Sequence, residues 1–374
     1  MLPLSSYGQW EHYGGVYYAY PEKDIPRQSA TPKGYKPFYI SHYSRHGSRW
    51  LPDDSRYEAV CRQFSDTLNL TQLGKDLRQR LLLIYANAKG RGGDLTSVGA
   101  QHLKRMAERM FVNYPEVFYD SAQIDAQSSI VGRCIMSMSY FLIRLAQMKP
   151  SLRITAEANC RYMDYIAYTS PEQKILENNV PNNWRMNPSR LIQSLFVDTA
   201  KIANQYYLAS ELHTIASDMQ DVNIGISLYD IFNENEMRQI YDMNNERMSL
   251  CNGINAFNKK TPQKSALSLW QNIVESADDA IIHGKPAVTL RFGHDTSLYR
   301  LFSFLGLYPN ENRMDFIIPM GANLQIIFYR NSESNVLVKF LHNEHEIFLP
   351  MKSETEPYYN WESVKKIYRT YYLK

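Results

Sequence analysis

The chain has 374 residues, with Lys+Arg 41 against Asp+Glu 38 and a formal net charge of +3. That length fits two domains or one domain with a large insertion, and it suffices for a core without disulfide or metal staples. A composition with 44% hydrophobic and 21% charged residues argues against disordered, collagen-like and coiled-coil classes, and the small net charge argues against a general nucleic-acid binder.

The first 37 residues are rich in Tyr, Gly and Pro and read as an irregular arm. Met1 to Trp10 lacks a basic stretch followed by an apolar one, so no signal peptide is expected within it. A short strand is predicted over Pro37 to His42, ending at the polar cluster Ser44-Arg45-His46-Gly47-Ser48-Arg49. Helical spacing of apolar residues runs from Glu58 to Ala86, followed by a glycine-rich connection at Gly90 to Gly93. Thr96 is placed to cap a helix running to about Val112. Tyr119 to Ala126 alternates as a strand, and a helix with Met136, Met138, Phe141 and Leu142 on its apolar side follows. Residues 145–285 read as mostly helical, broken by the polar loop Asn178 to Pro188. Ala287 to Phe292 predicts a buried strand ending at Gly293-His294-Asp295, then a helix over Ser297 to Leu305. Asn323 to Tyr329 and Val336 to Leu349 read as two strands joined by a polar turn. No apolar run approaches the roughly 18 residues of a membrane-spanning helix. The four cysteines (Cys61, Cys134, Cys160 and Cys251) form no CxxC pair, which sets aside zinc-ribbon and thioredoxin-type chemistry.

Strands alternating with helices at both ends predict a mainly parallel α/β sheet, and the helical middle predicts an inserted cap. Ligands of such sheets bind beyond the carboxyl ends of the strands. Three polar clusters occupy such positions: Arg45, His46 and Arg49; Arg133; and His294 with Asp295. Arginine forks match phosphate oxygens, whose charge spreads further during phosphoryl transfer. A histidine nitrogen can attack phosphorus, and an aspartic acid can protonate the departing alkoxide. Gly47 would let the backbone approach the phosphate closely. No metal or other cofactor is required if the arginines supply the neutralising charge.

These residues resemble the signatures of the histidine phosphatase superfamily. Ser44-Arg45-His46-Gly47-Ser48-Arg49 is similar to its R-H-G-x-R motif, and Gly293-His294-Asp295-Thr296 to the H-D motif of its acid phosphatase and phytase branch. Leu95-Thr96 with Gly99 resembles the L-T-x-x-G segment. Arg133, Ser137 and Phe141 match R-x-x-x-S-x-x-x-F, which carries a third pocket arginine. The resemblance implies a three-layer α/β/α sandwich, phosphoglycerate mutase-like, with a mostly helical cap. We expect the α/β core over 1–140 and 265–374 and the cap over 141–264. It implies His46 as the phosphohistidine, Asp295 as proton donor, and Arg45, Arg49, Arg133 and His294 as phosphate ligands.

The implied activity is phosphomonoester hydrolysis, on inositol phosphates such as phytate or on sugar phosphates. The alternatives are a broad acid phosphatase or glucose-1-phosphatase, a mutase, and a non-catalytic anion binder. The expected partner is a small phosphorylated substrate rather than nucleic acid. Periplasmic or secreted placement is expected by resemblance alone. The chain departs from phytase relatives after Arg49: Trp50 and Leu51 precede Pro52, and Asp53 and Asp54 stand where a basic residue would contact a second phosphate. Arg56 is the nearest candidate for that contact. Multiple inositol polyphosphate phosphatases of animal type carry H-A-E where this chain has His294-Asp295-Thr296. Arg185, Arg190 and Lys201 in the cap read as surface charges. His342, Glu344, His345 and Glu346 alternate in a hairpin and read as solvated strand positions rather than a metal site.

Overall fold

Strands from both ends of the chain join in one sheet. The computed structural model describes residues 8–181, 185–307, 317–353 and 355–369. The strands are β1 (Lys36–Arg45), β2 (Gln123–Ser128), β3 (Arg153–Ala158), β4 (Val288–Gly293), β5 (Asn323–Arg330), β6 (Val336–His342), β7 (His345–Ile347) and β8 (Tyr359–Asn360). They lie in the order β3-β2-β4-β1-β5-β6-β7, with β8 also on β6. The first four in that order pair parallel, whereas β5, β6, β7 and β8 pair antiparallel. The sheet is thus half parallel rather than mainly so. A tight turn joins β5 to β6, with Asn331 Oδ1 accepting the Glu333 and Asn335 N–H groups, and so short a connection permits only antiparallel pairing.

The helices are α1 (Asp54–Gln63), α2 (Gln72–Ala88), α3 (Ser97–Asn113), α4 (Gly132–Met148), α5 (Met163–Ile166), α6 (Pro171–Asn179), α7 (Ser189–Leu195), α8 (Gln205–Val222), α9 (Glu234–Asn252), α10 (Thr261–Ser265), α11 (Leu267–His283), α12 (Asp295–Leu305) and α13 (Trp361–Arg369). Apolar stripes of α3 and α4 pack on one face of the sheet, with Leu103, Met106, Phe141 and Leu145 against Ile40, Ile124 and Leu290. Trp270, Leu301, Phe302 and Trp361 from α11, α12 and α13 pack on the other, against Tyr39, Ile326 and Phe340. The result is the expected α/β/α sandwich.

A third apolar cluster lies outside these layers. It joins Leu191, Leu212, Ile215 and Ile240 of the predicted cap to Tyr57, Val60, Leu77 and Leu81 of α1 and α2. The packing therefore crosses the 140/141 boundary expected from sequence: α1 and α2 belong with the cap helices, and β3, inside 141–264, is an edge strand of the sheet. The helical pattern over 58–86 is also two helices, separated by a 3-10 turn at Thr67–Asn69.

The terminal hairpin differs from its solvated reading. Glu344 is buried, pairing with Arg109 at 2.8 Å and accepting from Tyr20 Oη at 2.7 Å. Glu346 pairs with Lys339 at 3.1 Å, and the His342 ring packs on Phe302.

Thr96 caps α3 as expected, its Oγ1 accepting the Gly99 N–H. Gly99 has a packing reason: a Cβ there would lie 2.4 Å from Ser48 O and 2.7 Å from Ser48 N. Helix propensity favours Gly99→Ala by about 1 kcal/mol. The collision with backbone should win, so the substitution should destabilise the fold by about 1–3 kcal/mol in urea unfolding. A stabilised variant would contradict this packing.

Candidate active site

The carboxyl ends of the parallel strands bring the three polar clusters together. In register, Arg45 at the end of β1 stands beside Gly293 at the end of β4, and Ser128 at the end of β2 stands beside Phe292. His46 and His294 follow their strands directly, and their ring centroids are 5.8 Å apart at 72°. Arg133 enters from the first turn of α4. Arg45, Arg49 and Arg133 all lie close enough to His46 to lower its affinity for a proton.

Each side chain is held locally. His46 Nδ1 lies 3.0 Å from Gly47 O. A carbonyl only accepts, so Nδ1 carries the proton and Nε2 keeps its lone pair. Burial, then the three arginines, hold the ring well below the usual imidazole range, and it stays neutral. Arg45 is 1% exposed. Its Nη1 donates to Val16 O at 2.6 Å and Ile318 O at 2.9 Å, and its Nη2 pairs with Asp295 Oδ2 at 3.1 Å. Arg49 Nη1 donates to Trp50 O, and its guanidinium lies 5.3 Å from the Tyr17 ring centroid. Burial and Arg49 lower the proton affinity of Arg133, whose Nη1 lies against Gly93.

The loop itself is tied to both helices of one layer. Gly47 N donates to Ser137 Oγ at 3.0 Å, and Ser137 Oγ donates to Arg133 O at 2.7 Å. This is a structural reason for Ser137 one turn after Arg133. A Cβ on Gly47 would lie 2.7 Å from Leu103 Cδ2 and 3.1 Å from Gly99 Cα, so a glycine here also permits close packing on α3.

His294 is fixed through its backbone. Its N–H donates to Tyr43 Oη at 3.1 Å, and that hydroxyl donates to Ile166 O at 2.7 Å. Gly293 leaves room for this hydroxyl, which a Cβ would meet at 2.2 Å. His294 Nε2 lies 3.3 Å from Ser129 Oγ and 3.8 Å from the buried Cys134 Sγ. Burial pushes the His294 ring down to about 4, the arginines adding to this and Asp295 opposing it. Asp295 opens α12, with 22% of its side chain exposed and Oδ1 accepting the Thr296 N–H at 2.8 Å. Burial acts to raise its pKa, but Arg45 and His294 outweigh burial and hold it below the ordinary value.

Arg56, the sequence candidate for a second phosphate contact, is engaged in an ion pair. Its Nε and Nη2 bond both oxygens of Glu211 at 2.8 and 2.7 Å, and Nη1 donates to Tyr17 Oη at 3.1 Å. The Glu211 pair clasps α1 to α8. Arg190 pairs with Glu236, Arg185 with Glu246 and Lys201 with Asp66. Sequence reading missed Val16, Tyr17 and Tyr43. Val16 acts through its backbone, and Tyr17 sits in an arm without periodicity. Among the described residues, no cluster of His, Cys, Asp and Glu could hold a metal ion, and the arginine-rich set suits an anion.

A family model of the histidine phosphatase superfamily (branch 2) matches residues 151–343, just over half of the chain. The chain belongs to this superfamily. Its fold is similar to that of Bifidobacterium longum multiple inositol polyphosphate phosphatase in complex with phosphate, with 17% identity, TM-score 0.78, and 96% of this chain and 97% of that one covered. It is similar to the phytase from D. castellii, with 15% identity, TM-score 0.68, and coverage of 98% and 86%. The apo Hafnia alvei phytase gives 13% identity, TM-score 0.58, and coverage of 91% and 98%. No curated protein matches the chain. Family and fold together identify a phosphatase.

The buried imidazoles set a pH dependence. His294 is neutral when folded but takes up a proton below pH 6.5 when unfolded. Its contribution to stability is therefore complete above pH 6.5 and lost as the pH falls toward 4. NMR titration should show His294 protonating near pH 4 and His46 failing to titrate near 6.5. A His46 resonance titrating at an ordinary value would contradict the burial described.

Proposed function

We propose that the protein hydrolyses phosphomonoesters through a phosphohistidine on His46. The observation that supports this reading most is the Nδ1–H···O=C bond from His46 to Gly47 inside a ring of arginines. It leaves Nε2 neutral with its lone pair free, and the charge of an incoming phosphate is matched by the arginines. Arg45, Arg49, Arg133 and His294 are the proposed phosphate ligands.

In the first step the Nε2 lone pair forms the N–P bond as the bond from phosphorus to the ester oxygen breaks. The Asp295 carboxyl proton passes to the leaving oxygen, and the alcohol departs. In the second step water attacks phosphorus and gives a proton to the Asp295 carboxylate as the N–P bond breaks. His46 is restored and inorganic phosphate leaves. In the free protein Asp295 is ionised beside Arg45. A bound phosphate competes for that guanidinium and adds negative charge nearby, so binding raises the proton affinity of Asp295 and arms the acid.

Inositol phosphates are the proposed substrates, phytate first. The fold's likeness to an inositol polyphosphate phosphatase and to phytases supports this reading. Arg56 is paired with Glu211, so a contact from it to a second phosphate would be made from within that ion pair. Secretion or periplasmic placement is part of the proposal by family habit alone. No helix among the described residues is long and apolar enough to cross a membrane.

His46→Ala should abolish phosphate release from phytate. Asp295→Asn should slow esters of poor leaving alcohols by about 10²- to 10⁴-fold and largely spare aryl phosphates, which need little protonation. Equal losses for both classes of ester, measured as kcat, would remove Asp295 from the acid role.

A further inference from the structure

Two buried carboxyls beside the pocket take no part in the proposed chemistry. Asp218 and Asp221 lie one helical turn apart on α8, and both are fully buried. Asp221 Oδ1 accepts from Ser48 Oγ at 2.5 Å. Asp218 Oδ2 accepts from Tyr57 Oη at 3.0 Å, and Tyr57 Oη accepts the Leu51 N–H at 2.9 Å. The pair thus grips the catalytic loop on both sides of Arg49. Thr96 Oγ1 adds a third tie, donating to Asp221 O at 2.6 Å.

The remaining oxygens, Asp218 Oδ1 and Asp221 Oδ2, have no hydrogen-bond partner, and neither has Arg49 Nε. Two adjacent carboxylates cannot both stay charged in such a place, because burial penalises each charge and each repels the other. One proton held by the pair relieves that repulsion and leaves a single charge. Burial pushes both carboxyls up, and Asp218 adds to the effect on Asp221. The groups facing the pair are Arg45 and Arg49 from the end of β1 and its loop, Arg56 and Tyr57 from α1, and Tyr229. The cations attract the one charge that remains.

We propose that Asp218 and Asp221 are positioning residues which share one proton, and that their single negative charge and their bonds to Ser48 and Tyr57 hold Arg49 in its phosphate-binding pose. This rests on the assignment of Arg49 to phosphate in the proposed function. The sequence gives only a faint sign of the pair: two acids at i and i+3 in a helix that also carries Leu212, Ile215 and Met219.

The test compares Asp218→Asn, Asp221→Asn and the double variant, using inhibition by inorganic phosphate alongside kcat and KM. In each single variant one carboxylate remains, so the pair keeps the single negative charge it has in the parent. Each should keep KM and the phosphate inhibition constant within about threefold of the parent. The double variant has no charge left opposite Arg49, and both constants should rise by about tenfold or more, with kcat changing less. An unchanged phosphate constant in the double variant overturns the proposal, as do singles as damaged as the double.

Infrared difference spectra provide a second readout that does not require the double variant to fold. The parent should show a protonated-carboxyl band at neutral pH that either single substitution removes, and its absence from the parent overturns the shared proton. Arg49→Ala separates the two assignments. If that variant binds phosphate as well as the parent, the role of Arg49 fails, whereas failure of the pair alone leaves that role standing.

Discussion

The structure depends on gathering like charges. Arg45, Arg49 and Arg133 sit in one buried pocket, and each disfavours the charge of its neighbours and of the histidines. Such a cluster is stable only because the fold supplies counter-groups: Asp295 on Arg45, backbone carbonyls of Val16 and Ile318, the Tyr17 face and the α8 carboxyls. None of these is a tetrahedral anion. A phosphate would neutralise all three guanidiniums at once, and the proposed function rests on that complementarity.

The same charges set the protonation states that the chemistry needs. Buried beside cations, an imidazole stays neutral, and its Nδ1–H bond to Gly47 O leaves the lone pair on Nε2. The acid is the converse case. The field of Arg45 holds Asp295 ionised; in the proposed function a bound phosphate would offset that field, so one electrostatic arrangement would set both nucleophile and acid.

Much of this was readable in the sequence, and the exceptions have physical causes. Parallel strands buried on both faces are continuous apolar runs, and their ends are marked by abrupt polar clusters, so β1 and β4 and the residues after them were legible. β3 was not, because as an edge strand its residues Arg153, Thr155, Glu157 and Ala158 face water and carry no apolar pattern. The ion pairs of Arg56 and Glu344 were hidden for a different reason. Their partners, Glu211 and Arg109, lie 155 and 235 residues away along the chain, and no local spacing announces them. The packing of Gly47 on α3 was hidden likewise, because Leu103 and Gly99 lie more than 50 residues away along the chain.

Rapid-quench labelling with phosphate-radiolabelled substrate tests the central claim directly. A covalent adduct that forms within one turnover, is acid-labile and base-stable, and maps to the peptide containing His46 is the predicted result. Label on another residue, or turnover with no enzyme-bound phosphate at any time, would contradict it.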